Sequence, residues 1–244
     1  MFFSIVKLGG LNIRIKFRYL ENYKRYNDFI THDTPQIDID ISLERLCEEK
    51  NIMYSAYPER HFSDIDIEFN ALYQDIPPIL FQNGVITFHG VLVEMNNEGY
   101  LFSADSGIGK STHARFWTEA FPEKARIING DKPLLRLCDD GLYGFGSPWM
   151  GKENIGINKS VKIKAICFLS RNNYNVIHPL QKCSDTIERL IRQSMIKNRE
   201  QILLNLYHWY NNILNCVEFY HMGCTNSIDA AIVAFKGMNS NNDA

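Results

Sequence analysis

Several features that usually reveal a protein's partners or compartment are missing from this chain of 244 residues. Its formal net charge is only -2 at pH 7, so electrostatics give no reason to expect nucleic acid or an anionic membrane as a partner. No apolar run approaches the length of a membrane span, and charge follows the short apolar start, the reverse of a secretory signal. These absences predict a cytoplasmic protein that binds neither nucleic acid nor membrane.

The cysteines do not form a recognisable metal or disulfide framework. None of the six belongs to a C-x-x-C pair, the spacing that zinc sites and redox motifs typically use. We therefore expect reduced thiols, most of them buried. They are Cys47, Cys138, Cys167, Cys183, Cys216 and Cys224. The composition, 45% hydrophobic and 22% charged, is that of an ordinary globular protein with one large domain, or one domain and a small appendage.

The N-terminus has the pattern of a β-hairpin. Apolar and polar residues alternate over residues 12–17, and Gly9-Gly10 provides a turn, so residues 2–17 are predicted to form two strands. The same region carries a small basic cluster, which indicates either a docking face for an acidic partner or a solvated strand edge. The cluster consists of Arg14, Lys16, Arg18, Lys24 and Arg25.

Two further patterns complete the first third of the chain. Alternating aspartate and isoleucine predict strands over residues 37–41 and 64–67, and a metal site formed by the carboxylates is the alternative for the second of them. Apolar residues at helical spacing over 70–82, interrupted by a Pro-Pro pair, predict a kinked helix or two short helical turns. We expect residues 1–83 to form a small, β-rich α+β appendage that contributes to substrate recognition.

A glycine-rich segment is the strongest indication of a chemistry. Residues 104–111 match the phosphate-binding loop, in which Gly and four arbitrary residues precede Gly-Lys and Ser or Thr, except that Ala104 replaces the first Gly. Gly107 and Gly109 allow tight turns that point backbone N–H groups toward phosphate. A strand pattern precedes the loop and a helical pattern follows it, which is the order that such a site requires.

The side chains that follow the glycines are those that nucleotide binding needs. Lys110 would reach the β and γ phosphates, and the Ser111 hydroxyl would ligate Mg²⁺. We therefore expect ATP and Mg²⁺ as cofactors. The predicted nucleotide-binding residues are Asp105, Ser106, Gly107, Ile108, Gly109, Lys110, Ser111 and Thr112.

An acid lies just beyond the next strand pattern, at Asp131. Phosphate-loop enzymes place the residue that handles a metal or a proton at the end of such a strand. Asp131 is therefore predicted to be catalytic and, together with Ser111, to bind the metal. A turn residue beside Pro133 is the structural alternative.

The C-terminal third has a mainly helical pattern, followed by a short polar tail that is predicted to be disordered over residues 239–244. Apolar residues recur there at three- and four-residue spacing, and two apolar runs have the composition of strands. The predicted elements are a strand over 162–169, helices over 184–197 and 201–214, a strand over 217–222 and a last helix over 227–236.

Three separated segments resemble, in order and spacing, the catalytic domain of HPr kinase/phosphorylase, the bacterial enzyme that phosphorylates a serine of a sugar-transport carrier protein. They are His89-Gly90-Val91-Leu92-Val93-Glu94, Asp105-Ser106-Gly107-Ile108-Gly109-Lys110-Ser111 and Ile128-Asn129-Gly130-Asp131-Lys132. The segment at 146–153 is similar to a narrower branch that includes the precursor-peptide kinases of lasso-peptide biosynthesis. The resemblance implies an α/β P-loop core related to phosphoenolpyruvate carboxykinase, which we expect over residues 84–238.

The resemblance also implies roles for individual residues. Asp131 matches the acid that acts as general base toward the substrate hydroxyl. His89 matches a histidine near that acid and the phosphates, although a core histidine on a strand is the alternative. Lys132 and Lys152 have the charge needed to stabilise the transferring phosphoryl group, and solvated surface lysines are the alternative.

Two positions depart from the family pattern. Gly130 stands where the family has the first of two successive acids, and Thr112 stands where it has glutamate. The combined prediction is a phosphotransferase that phosphorylates a serine of a peptide or small protein, most specifically the precursor peptide of a ribosomally made natural product. A small-molecule kinase and a non-catalytic ATP-binding sensor are the alternatives, and the sequence is compatible with a homo-oligomer.

Overall fold

A computed structural model of the chain describes residues 1–197 and 199–240, which form a mixed α/β fold with two sheets. The described strands are β1 (Phe2–Leu8), β2 (Leu11–Phe17), β3 (Ile37–Ile39), β4 (Val85–Thr87), β5 (Val91–Met95), β6 (Glu98–Ser103), β7 (Ala125–Asn129), β8 (Leu134–Cys138), β9 (Gly141–Phe145), β10 (Ser160–Arg171), β11 (Val176–Pro179) and β12 (Glu218–Cys224). The described helices are α1 (Leu20–Arg25), α2 (Leu43–Ala56), α3 (Asp64–Gln82), α4 (Lys110–Ala120), α5 (Ser184–Arg192), α6 (Leu203–Ile213) and α7 (Asp229–Asn239).

The small N-terminal sheet confirms the predicted hairpin. Strands β1 and β2 pair antiparallel across Gly9-Gly10, and β3 joins β2 in parallel. The basic residues on β2 are paired within the chain, because Arg14 contacts Asp38 of β3 at 2.5 Å and Lys16 contacts Asp40, just after β3, at 2.6 Å. Such exposed ion pairs stabilise a fold by at most about 1 kcal/mol. Because β2 lies between β1 and β3, the prediction of a solvated strand edge is wrong, and these ion pairs lie on the exposed face of the middle strand.

Helix α3 contradicts the strand predicted over residues 64–67. The Ser63 side chain accepts a hydrogen bond from the Asp66 N–H, and the Asp66 carboxylate accepts one from the Ser63 N–H, so this segment begins a helix with a capping box. The helix then continues through Pro77 and Pro78, so the alternative of two short turns is wrong. The two prolines remove backbone donors, which leaves carbonyls one turn earlier without their usual partners.

The large sheet is curled and has the strand order β4-β8-β9-β10-β6-β5-β7, with β12 pairing β10 and β11 pairing β12. Strands β6, β10 and β12 are mutually parallel, so their carboxyl ends lie at one edge. Apolar side chains alternate between the two faces of the sheet. Leu92 and Leu101 pack in the cluster that includes α5 and α6, whereas Val93 and Tyr100 pack in the cluster that includes α4 and α7.

The apolar run beginning at Val85, which the pattern joins into one strand up to Met95, is divided in the structure. Strand β4 ends at Thr87 and β5 begins at Val91. Between them the Phe88 and His89 N–H groups donate to carbonyls outside the sheet, those of Pro133 and Gln193. His89 therefore lies in a break between strands, and its interpretation as a core histidine on a strand is wrong.

The C-terminal predictions are confirmed in type. Helices α5, α6 and α7 and strands β10 and β12 lie where the pattern placed them, although α5 ends at Arg192 rather than 197. Helix α7 extends to Asn239, so the first residue of the predicted disordered tail is helical, and residues 241–244 lie outside the described part of the chain. Strands β8, β9 and β11 were not predicted.

The N-terminal sheet and the large sheet share an apolar cluster. Val85, Leu134 and Trp149 of the later part pack with the buried side chains of β1, β2 and α3. The contact is close at the first turn, where a Cβ on Gly9 would lie 2.5 Å from the Val85 side chain. The Arg136 guanidinium also donates to the Gly9 carbonyl at 3.2 Å. The predicted division after residue 83 therefore runs through a packed interface.

All six cysteines are free, but the expectation that most are buried is wrong. Cys167 is buried, Cys47 and Cys216 are exposed, and the other three are half-buried. Among the helices of residues 1–197 and 199–240, none combines the length and the hydropathy that crossing a bilayer requires.

Candidate functional site

The glycine-rich segment forms a tight loop between the end of β6 and the start of α4. Gly107 and Gly109 have φ values of 82° and 117°, a region that side-chain-bearing residues rarely adopt. No atom lies within 4 Å of the position where a Cβ would stand on either glycine. Ala104 is not among the residues with positive φ, so the alanine that replaces the first consensus glycine fits there without strain.

Lys110 is the buried cation of this loop. Its side chain turns back, and Nζ donates to the carbonyl oxygens of Ala104 and Asp105 at 2.9 and 3.4 Å. Within the described residues no carboxylate lies within salt-bridge distance of it. Burial lowers the pKa of Lys110, although the more distant charges of Asp131 and Asp105 oppose the shift. A buried ammonium without an adjacent counter-ion favours an anionic ligand in the loop.

Two side chains tie the loop to its neighbours. Arg171, at the end of β10, donates from Nη2 to the Gly107 carbonyl at 2.6 Å. Ser103, at the end of β6, donates from its hydroxyl to the His89 carbonyl at 2.8 Å. The second contact holds the segment between β4 and β5, which contains His89, against the end of β6, which precedes the glycine-rich loop. Two of the three sequence segments therefore lie side by side.

Asp131 is held by a buried asparagine that the sequence patterns did not single out. Asn129 accepts hydrogen bonds from the Asp131 and Lys132 N–H groups at 3.1 and 2.7 Å, and its amide donates to the Ser147 carbonyl and hydroxyl at 3.1 Å. Ser147 in turn donates to the Lys132 carbonyl at 2.6 Å. The only sequence signal for this brace is an asparagine two residues before an acid, which favours a turn.

The Asp131 carboxylate lies between two of the residues predicted to act with it. Lys132 Nζ pairs with one carboxylate oxygen, and His89 Nε2 lies 3.7 Å from the other. His89 Nδ1 is 3.0 Å from Gln193 Oε1, and the Gly90 N–H donates to the Asp131 carbonyl. Burial and then the charge of Lys110 lower the pKa of His89, so the imidazole is neutral near pH 7.

Helix α3 adds an aromatic residue that sequence analysis did not identify. The Tyr73 ring lies 5.6 Å from Lys132 Nζ and packs edge-on against Trp149 at 5.8 Å. Burial raises the pKa of Tyr73, and the negative charge of Asp131 adds to that effect. Trp149 is itself buried. Tyr73 is far in sequence from both Lys132 and Trp149, so no local sequence pattern could have predicted these contacts.

The remaining predicted residues border the site less directly. Lys152 is exposed, and no ion pair or hydrogen bond joins it to another described residue. Its neighbour Gly151 packs against Asp131, since a Cβ there would lie 2.7 Å from Asp131 Cβ. Asp105 and Ser106 are exposed on the loop. The structure therefore groups Asp131, His89, Lys132 and Lys110 and leaves Lys152 at the rim.

A small cavity of about 130 Å³ opens between α4 and the segment after β7. Ser111 and Thr112 line one wall, and Gly130 and Glu153 line another. No group of three or more His, Cys, Asp or Glu that could hold a metal occurs in residues 1–197 and 199–240. A Mg²⁺ ion here would therefore depend on the Ser111 hydroxyl and on oxygens of a bound ligand such as phosphate. Asp131, the other residue predicted to bind the metal, is not among the residues that line this cavity.

His113, on the first turn of α4, predicts an acid-sensitive step in stability. Burial lowers its pKa from 6.5 to about 4, so the unfolded chain binds a proton more readily than the folded chain between these values. The neutral His113 side chain stabilises the folded state fully above pH 6.5. As the pH falls toward 4, the free energy of unfolding decreases by about 3 kcal/mol. Urea unfolding at pH 7 and pH 4 measures the loss.

The matched variants separate His113 from the other titrating groups. His113→Phe is expected to be less stable at pH 7, because Trp117 Nε1 loses its acceptor, but to lose about 3 kcal/mol less than the parent on acidification. His208→Phe changes an exposed histidine of α6 and should retain the parental pH dependence. Equal pH dependence in the parent and His113→Phe would contradict the assignment.

Comparison with known proteins gives a weak similarity. No protein-family model matches the chain. A curated relative from Fusobacterium nucleatum subsp. nucleatum, described as "Putative HPr kinase/phosphorylase", is 26% identical over an alignment of 227 residues that covers 86% of this chain and 34% of that protein. The chain thus spans about a third of the length of that relative. The Hpr(Ser) kinase/phosphatase from Coxiella burnetii covers 64% of this chain and 95% of its own, with 10% identity and a TM-score of 0.36.

The weak homology is to the same family that the three sequence segments resemble. The narrower lasso-peptide branch, the relation to phosphoenolpyruvate carboxykinase and the roles of individual residues stay predictions.

Proposed function

We propose that the chain is an ATP- and Mg²⁺-dependent phosphotransferase that phosphorylates a serine hydroxyl of a peptide or small protein. The observation that carries the proposal is the buried Lys110 ammonium, which has carbonyl partners but no adjacent carboxylate. It lies in a loop whose two positive-φ glycines border open space. The weak homology to an HPr kinase/phosphorylase supports the same chemistry.

The phosphates of ATP fit the loop by charge and by shape. The backbone N–H groups around Gly107 and Gly109 and the N-terminus of α4 favour negative charge, and Lys110 supplies a full positive charge. Ser111 and Asp131 are the residues that would hold Mg²⁺, whose chemistry there is to neutralise charge on the phosphate oxygens. Phosphoryl transfer depends chiefly on such positioning and neutralisation.

Asp131 is proposed to take the proton of the attacking hydroxyl. As the serine oxygen bonds to the γ-phosphorus, the bond from that phosphorus to the β–γ bridging oxygen breaks, the proton passes to the Asp131 carboxylate, and ADP leaves. Asn129 holds the backbone of Asp131 in place, and the neutral imidazole of His89 lies beside the carboxylate without adding a positive charge there. Lys132 is placed to stabilise the developing charge, and Lys152 would act from the rim.

The acceptor is proposed to be the precursor peptide of a ribosomally made natural product, on the basis of the segment over residues 146–153. In the structure this segment follows β9 and passes Asp131 at Gly151, so it forms part of the surface that an acceptor would meet. The N-terminal part, residues 1–83, reaches the same place through Tyr73. It is therefore proposed to contribute to acceptor recognition. We further propose a cytoplasmic location.

A transfer assay tests the proposal. The protein is incubated with γ-labelled ATP, Mg²⁺ and serine-containing peptides taken from the genes that neighbour its own. The expected product is a phosphopeptide whose formation stops when serine is replaced by alanine or when EDTA removes the metal. ATP binding without transfer to any peptide, protein or small molecule would contradict the proposed activity and favour a nucleotide sensor.

A further inference from the structure

The ammonium of Lys132 lies between two groups that attract it. On one side Nζ pairs with the Asp131 carboxylate, and on the other it lies 5.6 Å from the centre of the Tyr73 ring. This distance is within the range of about 6 Å over which an aromatic face attracts a cation. The Lys132 side chain is only 19% exposed, so water weakens the attraction less than it would at the surface. The ring belongs to α3, in the N-terminal part of the chain.

The backbone of Lys132 is fixed independently of its side chain. Its N–H donates to the Asn129 side chain at 2.7 Å, and its carbonyl accepts from the Ser147 hydroxyl at 2.6 Å. These bonds do not fix the four-carbon side chain, whose rotation lets the ammonium reach several places. Among the described residues, Asp131 and Tyr73 are the ones that contact the ammonium, so they determine where it lies.

The Tyr73 ring is itself held in place. It packs edge-on against Trp149, with the ring centres 5.8 Å apart, and Trp149 is buried. The Trp149 N–H donates to the Ser147 hydroxyl at 3.2 Å, and the same hydroxyl binds the Lys132 carbonyl. The ring and the backbone of Lys132 are therefore fixed to one serine. A charged group that is positioned before the reaction needs no reorganisation when charge develops beside it.

The aromatic face of Tyr73, and not its hydroxyl, makes this contact. The hydroxyl oxygen is buried and has no hydrogen-bond partner among the described residues. Burial raises the pKa of Tyr73, so the phenol stays neutral near pH 7. A buried polar group without a partner lowers stability. Phenylalanine at this position would therefore present the same face to Lys132 and lose no described hydrogen bond.

The two partners of Lys132 differ in what the proposed reaction asks of them. Asp131 is proposed to bind Mg²⁺ and to take a proton, so its carboxylate must release the ammonium when Mg²⁺ and ATP are bound. A lysine ammonium is strongly hydrated, and without another partner it would turn toward water. Tyr73 has no such second role. Its ring can keep the ammonium beside Asp131 throughout the reaction.

We propose that Tyr73 is a positioning residue, whose ring holds the Lys132 ammonium at the reacting centre when Asp131 binds the metal. The proposal rests on the proposed function, in which Lys132 stabilises the charge of the transferring phosphoryl group. It gives the N-terminal part a role in phosphoryl transfer itself, in addition to acceptor recognition.

Single-turnover transfer at saturating ATP and Mg²⁺, with the peptide that the transfer assay identifies, tests the effect on rate. Tyr73→Phe should retain the parental rate, whereas Tyr73→Leu should lower it about tenfold without changing the dissociation constant of ATP. In a Lys132→Met background, Tyr73→Leu should cause no further loss, because the ring acts through the ammonium. An equal loss in both backgrounds would overturn the proposal, and so would an equal loss in Tyr73→Phe and Tyr73→Leu.

NMR of protein with ¹³C-labelled lysine locates the ammonium without reference to activity. The Lys132 ε-CH₂ resonance, assigned by its absence in Lys132→Met, should be shifted upfield by the Tyr73 ring, both alone and with Mg²⁺ and a non-hydrolysable ATP analogue. The shift should persist in Tyr73→Phe and disappear in Tyr73→Leu. Its loss in the parent when the metal and the analogue are added would overturn the proposal.

Tyr174→Leu is the matched control, because Tyr174 is 65% exposed and should affect neither the rate nor the Lys132 resonance. Failure of the proposed function gives a different result. In that case the parent transfers no phosphoryl group to any acceptor, while the Lys132 resonance still reports whether Tyr73 holds the ammonium.

Discussion

Lys110→Ala is expected to reduce phosphoryl transfer about 10³-fold and to weaken ATP binding, while the protein remains folded. The ammonium is the cation within the loop, and removing one preorganised charged donor from a reacting centre typically costs about 10²–10³ in rate. The folded state loses little, because the substitution removes a buried charge that has no carboxylate partner. Single-turnover transfer and urea unfolding measure the two effects.

Lys124→Ala is the matched control for Lys110→Ala, because Lys124 is exposed just beyond the end of α4. It should leave both transfer and stability unchanged. If Lys110→Ala instead unfolds the protein, the carbonyl contacts of Lys110 are its main role, and the loop is structural. If the variant is folded and transfers at the parental rate, Lys110 does not contact the phosphates.

Asp131→Asn is expected to reduce the rate of transfer at saturating ATP about 10³-fold. It is also expected to weaken the binding of ATP with Mg²⁺ to a smaller extent, because Asp131 is proposed to be both the base and a metal ligand. A positioned general base typically contributes about 10²–10⁴, and asparagine retains the shape of the side chain but cannot take a proton at neutral pH. The brace from Asn129 holds backbone atoms, so the substitution should not disturb it. The measurements are single-turnover transfer at saturating ATP and the dissociation constant of ATP.

Asp140→Asn provides the control for Asp131→Asn. Asp140 is exposed in the turn between β8 and β9, where it accepts a hydrogen bond from Tyr143. Its replacement should leave the rate at the parental value. Weaker ATP binding in Asp131→Asn, with the rate at saturation retained, would contradict the role as base and would leave Asp131 only its role as a metal ligand.

The conformation of the glycine-rich loop was predictable because its determinants are local. A glycine is required wherever the backbone needs positive φ, and the structure has such angles at Gly107 and Gly109. The lysine and serine follow at fixed spacing, so the chain sequence alone places them at the start of a helix. The position of Asp131 just after a strand was predictable from the local pattern, and in the structure that strand, β7, pairs with β5 next to the strand before the loop. The role of Asp131 stays a proposal.

The structural features that could not be predicted from the sequence depend on long-range packing or on a residue pattern that fits both a strand and a helix. Residues 64–67 alternate aspartate and isoleucine, which fits a strand, yet Ser63 and Asp66 cap a helix there. Tyr73 contacts Lys132 although the two residues are far apart in the sequence, and a local sequence pattern cannot predict such a contact. The supporting role of Asn129 depends on Ser147, which is brought to it only when β9 and β7 are in place.

The packing around Gly130 couples this position to the segment that follows β9. A Cβ here would lie 3.2 Å from the Met150 carbonyl oxygen, so residues near Met150 would have to move by a few tenths of an ångström to admit any side chain. The same segment packs on Asp131 at Gly151. An acid in place of Gly130 would therefore also shift the segment that lies against Asp131.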